Sequence, residues 1–169
     1  EPGLVAARAC VASVARHAGI DVSTVLPFST GVIGEPLPVV PIQDAVPSAL
    51  ANLAEEGWAA AANGILTTDT RPKGHSVRFT CEGQSYVVTG IAKGAGMIRP
   101  NMATMLSYIA TDAAVEQALL QDMLTELVDI SFNRITVDGD TSTNDACVLL
   151  ATGRADNAML ANRETALYE

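Results

Sequence analysis

Ser76-Val77-Arg78-Phe79-Thr80-Cys81-Glu82-Gly83-Gln84-Ser85-Tyr86-Val87-Val88-Thr89-Gly90-Ile91-Ala92-Lys93 decides the fold. Apolar and polar residues alternate from Ser76 to Cys81 and again from Ser85 to Ile91, a period of two that belongs to half-buried strands. Glu82-Gly83-Gln84 between them supplies a tight turn, so the spacing predicts a β-hairpin. The second strand runs straight into Lys93. Beyond it Gly94, Gly96 and Pro100 impose an irregular approach to a further apolar stretch, Met105-Leu106-Ser107-Tyr108-Ile109-Ala110. The pattern predicts a strand over 104–111 with Thr104 at its first position.

Helical periods surround this sheet. Leu4 to Ala18 places Leu4, Val11, Val14 and Ala18 apart from Arg8 and Arg16, and Gly19 follows as a stop. Ile42 to Glu56 reads as helical despite Pro47, and Gly57 separates it from an alanine-rich helix, Trp58 to Asn63, closed by Asn63-Gly64. Val115 to Phe132 repeats apolar residues at Val115, Leu119, Met123, Leu127 and Ile130. Short strands are predicted at Val25-Leu26-Pro27-Phe28, Ile135-Thr136-Val137 and Ala146 to Ala151, and a last helix over Arg154 to Tyr168. Together these predict an α+β fold, an antiparallel sheet layered between helices, in one domain over 1–169.

The chain has 169 residues, 49% of them hydrophobic, with a mean hydropathy of +0.25, enough for a real core. Aromatic residues make up only 4%, and the formal charge of −9 with a pI near 4.5 has the wrong sign for a protein that lives on phosphate contacts. No nucleic-acid partner is expected. Cys10, Cys81 and Cys147 are odd in number and widely spaced, which indicates neither a disulfide framework nor a zinc ribbon and fits a reducing compartment. No stretch approaches 18 uninterrupted apolar residues, and Glu1-Pro2-Gly3 begins no signal pattern, so no membrane partner is expected.

Thr104 is the candidate nucleophile. If the Ala103 to Thr104 peptide bond is cut, Thr104 gains a free α-amine beside its own hydroxyl, and one residue supplies nucleophile and general base. The plain alternative is a Thr acting only as a β-former at a strand entry.

Five segments carry a resemblance: Lys93 to Leu106, Ser29-Thr30-Gly31-Val32-Ile33-Gly34, Ile65-Leu66-Thr67-Thr68-Asp69-Thr70, Thr111-Asp112-Ala113, and Asp138-Gly139-Asp140-Thr141-Ser142-Thr143-Asn144-Asp145. Spread in order over nearly the whole chain, they resemble the ornithine acetyltransferase family, also called glutamate N-acetyltransferase, of arginine biosynthesis. The resemblance implies self-cleavage between Ala103 and Thr104, leaving 1–103 and 104–169 as the end of one chain and the start of the next. It implies a ping-pong transfer of acetyl from N-acetylornithine to glutamate through an acetyl-Thr104 intermediate, with Thr30 and Gly31 as the oxyanion hole and Thr67, Lys93 and Thr104 contacting substrate. It further implies no cofactor or metal, acetyl-CoA as a second donor in some members, and an α/β heterodimer of the cleavage products assembled into a heterotetramer. The location implied is cytoplasmic, or mitochondrial in a eukaryote. The fold implied is an α/β/β/α layered sandwich, similar in layout to N-terminal-nucleophile hydrolases but differently connected, of which this chain supplies a part. Family members extend beyond both ends of this sequence, so it reads as an internal fragment. The alternatives are an amidase or peptidase that processes itself in similar style, or an inactive folded core.

Rival sites are weaker. Cys10 and His17 share a helix but stand two turns apart, about 10 Å along its axis, too far for a nucleophile and its base. His75 falls in the polar loop Arg71-Pro72-Lys73-Gly74-His75 and is expected to be solvated. Asp138, Asp140 and Asp145 resemble the start of a calcium loop, but the twelfth position from Asp138 is Leu149 where a Glu is required, so turn capping is expected. Asp69 is read as a loop organiser. Lys93 has its own plain alternative, a cation that merely solubilises a bend.

Overall fold

The structure, a computed structural model, describes residues 1–98, 105–140 and 144–168. The chain divides into two compact units, Glu1–Gly57 and Trp58–Glu169.

The first unit is a helical pair. Helix α1 spans Pro2–Ala18, with Pro near its start where no intrahelical donor is required, and it ends at Gly19, whose φ of 68° is the left-handed conformation that glycine adopts without strain. Helix α2 spans Val39–Ala51 and contains Pro47. Ser13 and Ala15 of α1 and Val46 of α2 are buried, and Gln43 Nε2 donates to Ala9 O at 3.2 Å. Between the helices lie a 3-10 turn, Val22–Thr24, and then irregular backbone. The strand expected at Val25 to Phe28 does not form. Pro27 removes a donor, and every strand among the described residues belongs to the second unit.

The second unit opens with helix α3, Trp58–Gly64, and builds a four-stranded sheet from β1 (Lys73–Cys81), β2 (Gln84–Lys93), β3 (Leu106–Thr111) and β4 (Ala146–Ala151), in that spatial order. The hairpin forms as the alternation predicted. Its turn narrows to Glu82 and Gly83, at φ 49° and 82°, the paired positive values that match strand twist. Phe79 faces Tyr86 across the pair with ring centroids 5.4 Å apart, a cross-strand contact of the kind that contributes about 0.2–1 kcal/mol. Strands β2 and β3 are also antiparallel, and Lys93 pairs with Leu106, so the connection between them leaves and returns at adjacent positions.

Helix α4, Gln117–Ile130, then crosses to β4, which lies parallel to β3 with Leu106 opposite Ala146. The expected all-antiparallel sheet is therefore mixed. A helix between two strands returns the chain to the same end of the sheet, and only parallel pairing satisfies that path. The α+β class stands, with helices and a sheet in one unit and a helical pair in the other. The core of the second unit gathers Tyr86, Ile91, Ile98, Met105, Leu106, Ala113, Leu119 and Leu160.

Two further expectations fail here. Ile135 to Val137 is not a strand; Val137 N donates to Ile98 O at 2.8 Å without extending a ladder. Arg154 to Tyr168 is not a helix but a run of turns. Asn157 explains the second case, because its side chain accepts from Ala114 N at 2.8 Å and donates to Ala114 O at 3.1 Å, tying the segment to the stretch before α4. Asp156 adopts a left-handed φ of 56°, and Leu160 makes an isolated parallel bridge to Val115.

Candidate active site

Lys93 closes β2 with 2% of its surface exposed. The solvated-bend alternative is therefore excluded. Burial pulls its pKa below the ordinary lysine value; Asp69 acts upward, Lys73 downward and Asp145 upward. Among the described residues none accepts a hydrogen bond from its ammonium. A buried cation in that position is costly unless an anion completes the pairing, and a carboxylate of a bound molecule would do so.

Asp69 organises the approach to Lys93. Its side chain is fully buried, and Oδ1 accepts from Gly94 N at 2.7 Å and from Lys73 Nζ, while Oδ2 accepts from Thr67 N at 3.4 Å. Burial opposes ionisation of this carboxyl, but the bonds from Lys73, Gly94 and Thr67 outweigh it and hold its pKa below the usual value. One carboxylate thus joins the Thr67 backbone to the step after Lys93. Gly94 has a φ of 149°, a conformation that side chains rarely adopt, which is why glycine follows the lysine.

The far side of the same connection is held by two more carboxylates. Asp138 accepts from Met97 N at 2.8 Å, Ile98 N at 3.1 Å and Asp140 N at 3.3 Å. The Met97 bond is the chief reason its pKa is lowered. Asp145 accepts from Met105 N, and Ala146 N donates to Met105 O at 3.0 Å. Burial raises the Asp145 pKa, and the Met105 bond and the Lys93 charge act against it. The local turn capping expected here appears in the Asp138 to Asp140 bond, while the Asp145 carboxylate and the other bonds of Asp138 reach about 40 residues back along the chain.

Ala103 and Thr104 lie outside the described residues. Thr67 and Lys93 are brought together through Asp69. Thr30, half-buried, and Gly31, exposed, sit in the irregular stretch of the first unit. A Cβ at Gly31 would meet no described atom within 4 Å. Of the rival groups, His17 Nδ1 lies 2.8 Å from Ser13 O in its own helix, and His75 stands exposed on β1 where a loop was expected.

The model of the ArgJ family matches residues 1–169. The chain belongs to the ArgJ family. It is 59% identical over its whole length to the arginine biosynthesis bifunctional protein ArgJ of Pseudomonas syringae, and covers 42% of that protein. It is 55% identical to the ArgJ of Pseudomonas fluorescens, with all of this chain and 44% of the relative aligned. With the Psychrobacter arcticus ArgJ it shares 57% identity over 94% of the chain and 39% of the relative. Among solved structures, the crystal structure of arginine biosynthesis bifunctional protein ArgJ from Bacillus halodurans matches with a TM-score of 0.54 and 38% identity, over 61% of this chain and 54% of that one. The chain spans less than half the length of these curated ArgJ relatives.

Within this ArgJ-family chain, sequence reasoning missed that the acidic residues act on one connection. Asp138 and Asp145 were legible as turn residues from their neighbours Gly139 and Asn144. That both reach across to the stretch after Lys93 required the parallel placement of β4 beside β3. No helix among the described residues is long and apolar enough to cross a membrane.

Proposed function

We propose that the protein containing this chain transfers acetyl from N-acetylornithine to glutamate, after self-cleavage between Ala103 and Thr104. The observation that carries this reading is Lys93: a nearly fully buried ammonium with no hydrogen-bond acceptor among the described residues, at the end of the strand that leads to Thr104. Every amino-acid substrate of this chemistry brings a carboxylate, which would give Lys93 the hydrogen-bond acceptor that no described residue supplies. Membership of a family whose relatives bear the name arginine biosynthesis bifunctional protein supports the same reading.

In this reading the Thr104 hydroxyl attacks the carbonyl of Ala103, and hydrolysis of the resulting ester leaves a free carboxylate on Ala103 and a free amine on Thr104. That amine then takes the hydroxyl proton as Thr104 attacks the acetyl carbonyl of N-acetylornithine. Thr30 and Gly31 stabilise the oxyanion, and Lys93 and Thr67 orient the substrate. Ornithine leaves carrying the proton, and the amine of glutamate takes the acetyl group from Thr104. No cofactor or metal enters these steps. Acetyl-CoA as a second donor accords with the word bifunctional in the relatives' names. The cleavage products remain together as an α/β heterodimer, assembled into a heterotetramer in the cytoplasm.

The test uses the full-length protein with labelled acetyl donor. Label is expected on Thr104 and then on glutamate, with Thr104→Ala abolishing cleavage and transfer and Thr104→Ser retaining part of each. Normal two-chain processing in Thr104→Ala overturns the nucleophile, and label released only as acetate makes the enzyme an amidase.

A further inference from the structure

Ile98 and Met105 are seven residues apart, and so are Asp138 and Asp145. Contacts join the described ends of the two segments. Asp138 accepts from Ile98 N, 40 positions earlier, at 3.1 Å, and Asp145 accepts from Met105 N, again 40 positions earlier. Backbone bonds add to both ends: Val137 N donates to Ile98 O at 2.8 Å, and Ala146 N donates to Met105 O at 3.0 Å. Beyond Met105 the same offset continues as the ladder of β3 with β4, from Leu106 opposite Ala146 to Thr111 opposite Ala151.

We propose that Asp138 and Asp145 are positioning residues for self-cleavage, holding the Ile98 and Met105 amides that flank the Ala103–Thr104 bond in sequence. The inference rests on the reading of Thr104 as the nucleophile.

The argument is geometric. Attack by a side chain on the carbonyl that precedes it in the chain requires the reacting atoms about 3–3.5 Å apart and aligned, a small part of what a free loop samples. Met105 directly follows Thr104, and both polar atoms of its backbone are held by the 145–146 step. The other end is held by the Asp138 carboxylate, which takes two consecutive amides, Met97 and Ile98. Met105 and Ile98 are also buried, so their positions are fixed by packing as well as by hydrogen bonds. A carboxylate is the strongest acceptor available for a backbone amide, and at Asp145 it is kept despite the burial that opposes its charge. Asp112 offers an internal comparison: its Oδ1 accepts from Val87 N at 2.9 Å in the same sheet but touches neither end of the stretch.

The experiment follows the conversion of freshly made full-length precursor into two chains, scored per folded molecule, for wild type, Asp145→Ala, Asp145→Asn, Asp145→Glu, Asp138→Ala and Asp112→Ala. The expected result is cleavage at least tenfold slower in Asp145→Ala and Asp138→Ala, recovered to within about threefold of wild type by Asp145→Asn, which keeps an acceptor oxygen. Asp112→Ala should lower the melting temperature yet cleave at the wild-type rate. Folded Asp145→Ala that cleaves at the wild-type rate overturns the proposal while leaving the Thr104 reading intact. Should Asp145→Ala fail to fold, Asp145→Glu decides: its oxygens are displaced by a methylene, so cleavage at least threefold slower supports the proposal and a wild-type rate overturns it. Asp112→Ala slowing cleavage as much as Asp145→Ala would reduce the effect to general destabilisation and also overturn it. A wild-type precursor that never yields Thr104 as an N-terminus fails the parent reading, and the positioning role with it.

Discussion

Asp69 Oδ1 lies 2.7 Å from the Gly94 amide nitrogen, which fixes a buried carboxylate one residue beyond the buried Lys93. The two charges influence one another, yet no described residue accepts a hydrogen bond from the ammonium. The approach to the candidate site is therefore held by an ion that does not consume the cation it sits beside.

Lys93→Met tests whether that cation is kept for binding. Its folded pKa lies below its unfolded one, so the cost of burying the charge is complete below the folded value, shrinks as pH rises through it, and is gone only above the unfolded value of about 10.4, where both states are neutral. The variant is expected to be more stable at pH 7 by about 1 kcal/mol, a gain that shrinks by pH 10, and to bind N-acetylornithine and glutamate about 2 kcal/mol more weakly. Thermal melts at the two pH values and KM for both substrates check this; a less stable variant with unchanged KM would make Lys93 structural.

For Asp69 the sign is the reverse. Its folded pKa lies below the unfolded value, so its stabilisation is complete above about pH 3.9 and is lost as pH falls through the folded value. Asp69→Asn should melt below wild type at pH 6, and the gap should narrow toward pH 2.5. A gap that stays constant over that range would mean that the charge is not what stabilises the loop.

Gly31→Ala separates a turn role from an oxyanion role. With no described atom within 4 Å of the added Cβ, the melting temperature should not change, while kcat should fall about tenfold or more if backbone donors at this position approach the reacting carbonyl. An unaltered kcat removes Gly31 from the mechanism.

Asn157→Ala leaves the Ala114 N–H and C=O without their side-chain partner. A loss of about 1–3 kcal/mol is expected, read as a lower denaturation midpoint, with cleavage and transfer unaffected in the folded fraction. A midpoint equal to that of wild type would show the contact to be dispensable.

The hairpin was legible because alternation and the Glu82-Gly83 step are local and agree with each other, and helix α4 because Leu119, Met123, Leu127 and Ile130 keep one period. Arg154 to Tyr168 misled because its composition suits a helix, whereas Asn157 binds a backbone 43 residues earlier. Val25 to Phe28 reads as a strand on composition, but a strand exists only with a neighbour to pair with, and sequence does not supply one. At the site, Lys93 was found by its place before Gly94 and by resemblance; its burial was not, since a lysine before two glycines has the same local pattern whether it is solvated or enclosed. Asp138 and Asp145 announced turns, and their reach to the two ends of the connection after Lys93 appears only in the fold.

The order of strands has one more consequence. A cut between Ala103 and Thr104 would leave β2 on one product and β3 on the next, although these are neighbours paired over six positions from Val88 opposite Thr111 to Lys93 opposite Leu106. The sheet is thus a splint across its own fracture. Parting the two pieces would mean unzipping an interior seam, with β4 riding on the second piece and β1 on the first. Maturation of this kind would create a new terminus without creating a new diffusing species, and the proposed nucleophile would be born already bound to its partner chain.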